Sequence, residues 1–197
     1  EGWVDSTGKG IVYLSESESE FYKRQPDDIK EVMVSSRTSG DDRGFSFNTA
    51  MALDFSLYEN SIDLVSREIL SPIANNALGF YRYELVGTFY DEQQRLVNKI
   101  KVKPKRVTDP VFRGHIYIYE DYWNIHSADL VGISQSFQNP VIDTIQLQIV
   151  NIFVRDDIWV PLNKNLRIQF KALGFKVGGG FIGTFTNYEL NPDFPEG

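Results

Sequence analysis

Apolar and polar residues alternate along the second part of the chain, from about Leu85 onward. Residues 96–103, 144–153 and 165–172 show this pattern most clearly. Because successive side chains of a strand point to opposite faces of a sheet, the alternation predicts strands with one buried and one solvated face. The residues predicted to face inward are Leu96, Ile100, Val102, Ile145, Leu147, Ile149, Phe153, Leu166, Ile168, Phe170 and Ala172.

Short polar segments separate these predicted strands. Turn-like composition occurs in DEQQ at 91–94, ED at 120–121, RDD at 155–157, NKN at 163–165 and around Gly174. Consecutive strands joined by short polar turns form an antiparallel meander, because parallel pairing needs long crossover connections. The second part of the chain is therefore predicted to be one antiparallel sheet.

The first part of the chain mixes strand and helix patterns. Residues 10–16 predict a strand. Residues 25–33 combine a proline at a helix-start position with acids in the first turn and apolar residues on one face. Residues 60–69 and 71–81 place apolar residues at helical spacing after an Asn or Ser that could cap a helix. We therefore predict two to four short helices toward the N-terminal half.

Together these patterns predict an α+β fold that is mostly β. We expect a large curved antiparallel meander sheet with a few short helices in the N-terminal half. The chain has 197 residues, of which 42% are hydrophobic, and this is enough to build one packed core. No internal repeat and no long linker divides the sequence, so we expect a single domain over residues 1–197.

Residues 111–130 hold both histidines of the chain and predict a β-hairpin. Hydrophobic matching favours the register in which residue numbers sum to 241, which sets Ile118 opposite Trp123. The same register places His115 opposite His126, with Cβ atoms roughly 4.5–5.5 Å apart. Two such histidines could share a metal, but zinc takes three or four protein ligands and the hairpin supplies no third. An ordinary polar hairpin face is therefore the favoured interpretation.

Composition excludes several classes of protein. The net charge of −7 disfavours nucleic-acid binding, because such proteins use surplus Lys and Arg to displace counterions from phosphate. The chain has no cysteine, which excludes disulfides, thiolate metal sites and cysteine nucleophiles. No apolar run reaches the roughly 18 residues of a membrane-spanning helix. No signal peptide is visible, and the initial Glu suggests a piece of a longer protein.

Three further segments contain residues that could carry chemistry. VGGGF at 177–181 lacks the helix start or Lys–hydroxyl pair of a phosphate loop, so its glycines indicate a bulge, a bend or close packing. SESESE at 15–20 predicts a solvated acidic strand face rather than a calcium loop. GISQS at 132–136 lacks the final glycine of a nucleophile elbow. We therefore predict a protein that is not an enzyme and has no cofactor.

The segment KIKVKPKR at 99–106 is the basic cluster of the sequence. Lysines on an edge strand commonly prevent one sheet from pairing with another. The sharper hypothesis is contact with anionic lipid headgroups, for which the candidates are Lys101, Lys103, Lys105 and Arg106.

Long phrases of the sequence resemble one protein family. They include YLSESESEFYKRQP, ILSPIANNALGFYRYELVGTFYDEQQRLVNKIKVKPKR, DPVFRGHIYIYEDYWNIHSADL and GFKVGGGFIGTFTNYELNP, and the similarity covers residues 10–192. The family is an uncharacterised outer-membrane protein family of Bacteroidota. Its members carry an N-terminal carboxypeptidase-regulatory-like domain and a predicted C-terminal β-barrel, and this chain resembles the domain between them.

The resemblance implies a location in the cell rather than an activity. It implies a domain on the periplasmic side of the outer membrane, in a longer exported protein, with the adjoining domains of the same chain as partners. It supplies no catalytic or ligand residues. We therefore expect a non-enzymatic domain that binds a partner or substrate, or docks beside the barrel.

Two alternatives remain open. By analogy, the fold is similar to the half-barrels of periplasmic lipoprotein carriers, so the domain could carry a lipid or lipoprotein acyl chain in a half-barrel cavity. A core filled by Phe45, Phe47, Leu53 and Phe55 would argue against a carrier. The other alternative is a metal-dependent enzyme that uses His115 and His126.

Overall fold

The computed structural model describes residues 2–4, 11–24, 28–40, 50–64, 67–155, 158–172 and 175–193. Most of these residues belong to strands. In chain order the strands are β1 (Gly2–Val4), β2 (Ile11–Arg24), β3 (Asp28–Gly40), β4 (Ser61–Asp63), β5 (Glu68–Leu70), β6 (Tyr81–Tyr90), β7 (Leu96–Pro104), β8 (Arg113–Tyr119), β9 (Ile125–Ile133), β10 (Ile142–Arg155), β11 (Ile158–Ala172) and β12 (Phe175–Thr184). A four-residue helix, α1 (Ser134–Phe137), lies between β9 and β10.

Ten of the described strands form one antiparallel sheet. Its order is β3-β2-β1-β12-β11-β10-β9-β8-β7-β6, and β4 pairs with β5 in a small separate sheet. Strands β6 to β12 follow one another as a meander, and β1 then pairs with β12. The predicted fold class, α+β and mostly β with an antiparallel meander, is confirmed.

One face of the large sheet forms the core. Residues 50–64 and 67–80 cover this face with the 3-10 helices Ala50–Leu53 and Ala77–Gly79 and with the small sheet. Burial of each large apolar side chain stabilises the fold by roughly 1.5–3 kcal/mol. The buried residues include Leu53, Phe55, Leu57, Ile62, Ile69, Val102, Ile116, Leu130, Ile145, Leu147, Ile149, Leu166 and Ile168. Six of the residues predicted to face inward are among them, whereas Phe153 is exposed, contrary to prediction.

Two tyrosines of β6 fasten the covering segment to the sheet. The hydroxyl of Tyr81 donates to Leu70 O (2.5 Å) and accepts from the amide of Phe112 (3.0 Å). The hydroxyl of Tyr83 donates to Pro72 O (2.7 Å). Burial raises the pKa of Tyr83 to about 12. Burial raises the pKa of Tyr81 as well, so both hydroxyls stay protonated at neutral pH and donate to these carbonyls.

The helices predicted from apolar spacing are mostly wrong. Residues 28–33 lie in β3, while 25–27 fall outside the described residues. Within 60–69, Ile62 pairs with Ile69 across β4 and β5. The spacing of these two apolar residues matches a helix, but in the structure they face each other in a short hairpin. Of residues 71–81, three form the 3-10 helix Ala77–Gly79. The predicted turn at 163–165 is also wrong, since β11 continues through it.

Both edge strands of the described sheet contain a bulge. A register shift between β2 and β3 leaves Val34 without a partner residue, and one between β6 and β7 does the same for Val86. Edge bulges twist a strand and block pairing with further strands. The glycine-rich β12 keeps a regular register with β11, so of the bulge, the bend and the close packing that its glycines indicate, the bulge is not what they provide. No helix among the described residues is long and apolar enough to cross a membrane.

Candidate binding site

One end of the large sheet includes the chain reversals between β6 and β7, between β8 and β9 and between β10 and β11. Apolar side chains gather here on the strand ends and in the turns. We call this surface the aromatic end. It is defined by six exposed residues: Phe89, Tyr90, Tyr122, Trp123, Phe153 and Ile158. Phe89 and Tyr90 are neighbours on β6 and point to opposite faces of the sheet, whereas Tyr122 and Phe153 both pack on Trp159. Exposed large apolar side chains that lie close together, as these two do, are typical of an interaction surface.

Arg95 holds the layer beneath the aromatic end together. It donates from Nε to Asp91 Oδ2 (2.7 Å) and from Nη2 to the hydroxyl of Tyr119 (3.2 Å). Its guanidinium carbon lies 4.8 Å from the ring centre of Tyr119 and 5.0 Å from that of Trp159. The Tyr119 hydroxyl donates to Asp91 Oδ2 (3.1 Å). The two charges of this network are paired with each other, which makes it a rigid support.

Aromatic rings extend this support to the surface. The ring centre of Trp159 lies 4.5 Å from that of Tyr119, 5.5 Å from that of Phe153 and 5.7 Å from that of Tyr122. Pairs at these distances contribute about 0.5–1.5 kcal/mol each beyond the area that they bury. Burial raises the pKa of Tyr119 to about 12. Burial opposes ionisation of Asp91, but hydrogen bonds from Arg95 and Tyr119 leave its pKa below the ordinary value.

Trp123 is the residue of this surface that folding does not explain. Its φ angle is +58°, in the left-handed region, and its side chain is 75% exposed. The left-handed conformation costs an L-residue roughly 1–2 kcal/mol, and Gly or Asn usually takes such positions. Sequence reasoning missed this role, because it paired Trp123 with Ile118 inside the hairpin. In the structure Ile125 is the partner of Ile118.

The predicted pairing of His115 with His126 is wrong. A register shift after Tyr117 puts His115 opposite Asp129 and leaves His126 as the extra residue of a bulge. Hydrophobic matching predicted the wrong register because it assumed a regular hairpin, whereas the bulge shifts one strand by one residue. Among the described residues, no group of three or more His, Cys, Asp or Glu side chains could hold a metal. Burial lowers the pKa of both histidines, so both are mainly neutral at pH 7.

The candidates for lipid headgroup contact lie at the other end of β7, and most are engaged within the protein. Lys103 forms an ion pair with a glutamate of β6. Lys105 donates to the carbonyl of residue 78 (2.7 Å), and Arg106 pairs with the aspartate three positions later (2.9 Å). Lys101 lies beside His115 on the solvated face. The headgroup contact stays a prediction.

Lys164 is a buried cation that sequence reasoning also missed. It lies on the inner face of β11, where it is 8% exposed. Its Nζ donates to Leu53 O (2.8 Å) and Phe55 O (2.7 Å), and it lies 4.8 Å from the ring centre of Phe55. Burial, partly offset by the charge of Asp54, lowers its pKa to about 8. These bonds attach the covering segment to the sheet.

A shallow cavity lies near α1, away from the aromatic end. It encloses about 60 Å³ and is lined mainly by valines and isoleucine, with Ser136 and Arg113 at its polar side. Pockets that take small organic ligands usually enclose roughly 300–1,000 Å³. This cavity is therefore too small for such a ligand.

Comparison with known proteins gives one match. A family model described as "Family of unknown function (DUF5686)" matches residues 1–188 of the chain. No curated protein and no solved structure matches it.

Proposed function

The chain belongs to the DUF5686 family, a family of unknown function, and we propose that it is a non-enzymatic binding domain that docks through the aromatic end. Its partner is an adjoining domain of the same full-length protein. The domain works on the periplasmic side of the outer membrane, beside a barrel, in a protein of Bacteroidota. This location rests on the sequence resemblance described above.

The observation that carries the proposal is Trp123. An exposed Trp in a left-handed turn position weakens the isolated fold, so a gain elsewhere is needed to offset it. Trp, Tyr and Arg dominate the residues on which protein interfaces depend. At the aromatic end, Trp123 and Tyr122 project outward from a base that Arg95 and Trp159 hold rigid. A rigid base lowers the entropy lost on docking.

The carrier alternative has less support. It needs a cavity on the inner face of the sheet, where Leu53 and Phe55 are instead buried in the core. Phe45 and Phe47, the other two residues expected there, fall outside the described residues. No observation on the described inner face favours an acyl chain, so we do not propose a carrier.

Site-specific photo-crosslinking in the full-length protein tests the docking. A benzophenone amino acid replaces Tyr122, which leaves Trp123 in place, and a control carries it at Leu78. Leu78 is 75% exposed, like Trp123, but it lies in the 3-10 helix Ala77–Gly79, away from the aromatic end. We expect crosslinks from position 122 to other domains of the same chain, reduced at least fivefold by Trp123→Ala, and none from position 78.

Two outcomes would overturn the proposal. One is equal crosslinking from positions 122 and 78, which would mean that exposure alone decides the yield. The other is crosslinking from position 122 to lipid only, which would replace the protein partner with a bilayer.

A further inference from the structure

We infer that the surface docked by the aromatic end is an apolar patch surrounded by cationic side chains; the inference rests on the docking function proposed above. Three exposed carboxylates lie at the tips of the first two turns: Glu92 follows Asp91, and Glu120 and Asp121 directly precede Tyr122 and Trp123. Glu120 accepts a hydrogen bond from the side-chain amide of Asn98. No ion pair within the described residues involves any of the three.

Among the described residues, no cation at the aromatic end forms an ion pair with these acids. Arg155, exposed at the end of β10 opposite Ile158, takes part in another interaction. Arg95 is the basic residue at the first turn, and its charge is taken up by Asp91 and by the rings of Tyr119 and Trp159. The Asp91–Arg95 pair is neutral as a unit, so it does not offset the three negative charges of Glu92, Glu120 and Asp121.

Apart from Lys99, whose Nζ lies 5.6 Å from the ring centre of Tyr117, the basic residues of β6 and β7 lie toward the opposite end of these strands. The register places Arg82 beside Lys103 and Glu84 beside Lys101 near the far end of β7. Strand β7 spans eight residue steps, which at roughly 3.3 Å per residue separates the two ends by roughly 26 Å. That distance exceeds the Debye length of about 8 Å at physiological ionic strength, so the acids are not neutralised from there.

Docking of the aromatic end removes water from around these carboxylates. A partner without cations would leave them partly desolvated and unpaired, which costs binding free energy. An anionic bilayer surface would repel them. A ring of Lys or Arg around an apolar centre complements both the charge and the rings, and such complementarity sets specificity and association rate.

Charge reversal in the full-length protein tests the inference, with the benzophenone at position 122 as the reporter. The test variant carries Glu92→Lys, Glu120→Lys and Asp121→Lys. The control carries Glu16→Lys, Glu18→Lys and Glu20→Lys, an equal charge change on three acids of β2. We expect the test variant to lose at least fivefold in crosslink yield and the control to change less than twofold. In the unreversed protein we expect the yield to fall between 50 and 500 mM salt.

The outcomes separate this inference from the docking function. An unchanged or higher yield in the test variant would overturn the cationic ring while leaving the docking in place. Equal losses in test and control would also overturn it, because net charge would then be the cause. If the test variant does not fold, a salt-independent yield in the unreversed protein would overturn the cationic ring as well. Absence of crosslinks before any reversal would count against the docking function itself.

Discussion

Replacement of Lys164 by Met changes how stability depends on pH. The folded protein buries this ammonium group at 8% exposure against two carbonyls, and its pKa falls from the ordinary 10.5 to about 8. In the unfolded chain the side chain is solvated and keeps its ordinary pKa. Between pH 8 and 10.5 the unfolded state therefore binds more protons than the folded state, and the free energy of unfolding rises with pH.

The magnitude follows from the two pKa values. Each unit of pKa difference corresponds to about 1.4 kcal/mol, so the full effect is about 3 kcal/mol. Between pH 7 and 9.5 the group supplies about 2 kcal/mol of this rise, since the unfolded lysine begins to lose its proton near the upper limit. Tyr119 has the opposite effect above pH 10, because burial raises its pKa to about 12. Measurements therefore stop at pH 9.5.

Urea denaturation of wild type and Lys164→Met at pH 7, 8, 9 and 9.5 measures the effect. All other titrating groups are common to both proteins and cancel in the difference. We expect the stability of wild type relative to the variant to rise by about 2 kcal/mol from pH 7 to 9.5. Lys171→Met, at an exposed lysine of the same strand, should follow wild type. Parallel curves for wild type and Lys164→Met would refute the reasoning.

Three further predictions concern backbone conformation and the Arg95 network. Trp123→Gly should raise the free energy of unfolding by about 1 kcal/mol, because glycine adopts the left-handed conformation without the strain of an L-residue. Trp123→Ala keeps that strain and should give no such rise; thermal melts compare the two variants. Gly114→Ala should lower the free energy of unfolding by about 3 kcal/mol, since φ is +141° and the added Cβ would lie 2.1 Å from a carbonyl oxygen of β9. The control Gly87→Ala, where the added Cβ meets open space, should stay within about 0.5 kcal/mol of wild type; urea denaturation measures both. Arg95→Met should lower the free energy of unfolding by about 2 kcal/mol and raise the pKa of Asp91. NMR titration of the Asp91 carboxyl measures this pKa, and an unchanged pKa would contradict the network.

The Trp123 pair of variants links stability to function. If the aromatic end exists for docking, Trp123→Gly gives a more stable domain that docks less well. Such a trade-off is common where a functional residue holds a strained conformation. A Trp123→Gly variant that is less stable than wild type would show that the indole supports the fold.

Alternation of apolar and polar residues was sufficient to predict the meander. Ile145, Leu147 and Leu166 are buried as predicted, because period-2 patterning is a local property that any half-buried strand must obey. Composition excluded thiolate chemistry, because the chain has no cysteine. By contrast, Ile62 and Ile69 match both a helix and a short hairpin, and the pattern could not decide between them.

Tertiary structure decided the register and the burial of polar groups. The bulge at His126 placed His115 opposite Asp129 and turned Trp123 outward, because turn geometry and neighbouring strands set the register together. Lys164 looks like a turn residue in sequence, yet it is buried because two carbonyls of the covering segment, more than 100 positions away, complete its hydrogen bonds. Contacts between such distant residues exist only once the chain has folded, so local patterns carry no signal for them.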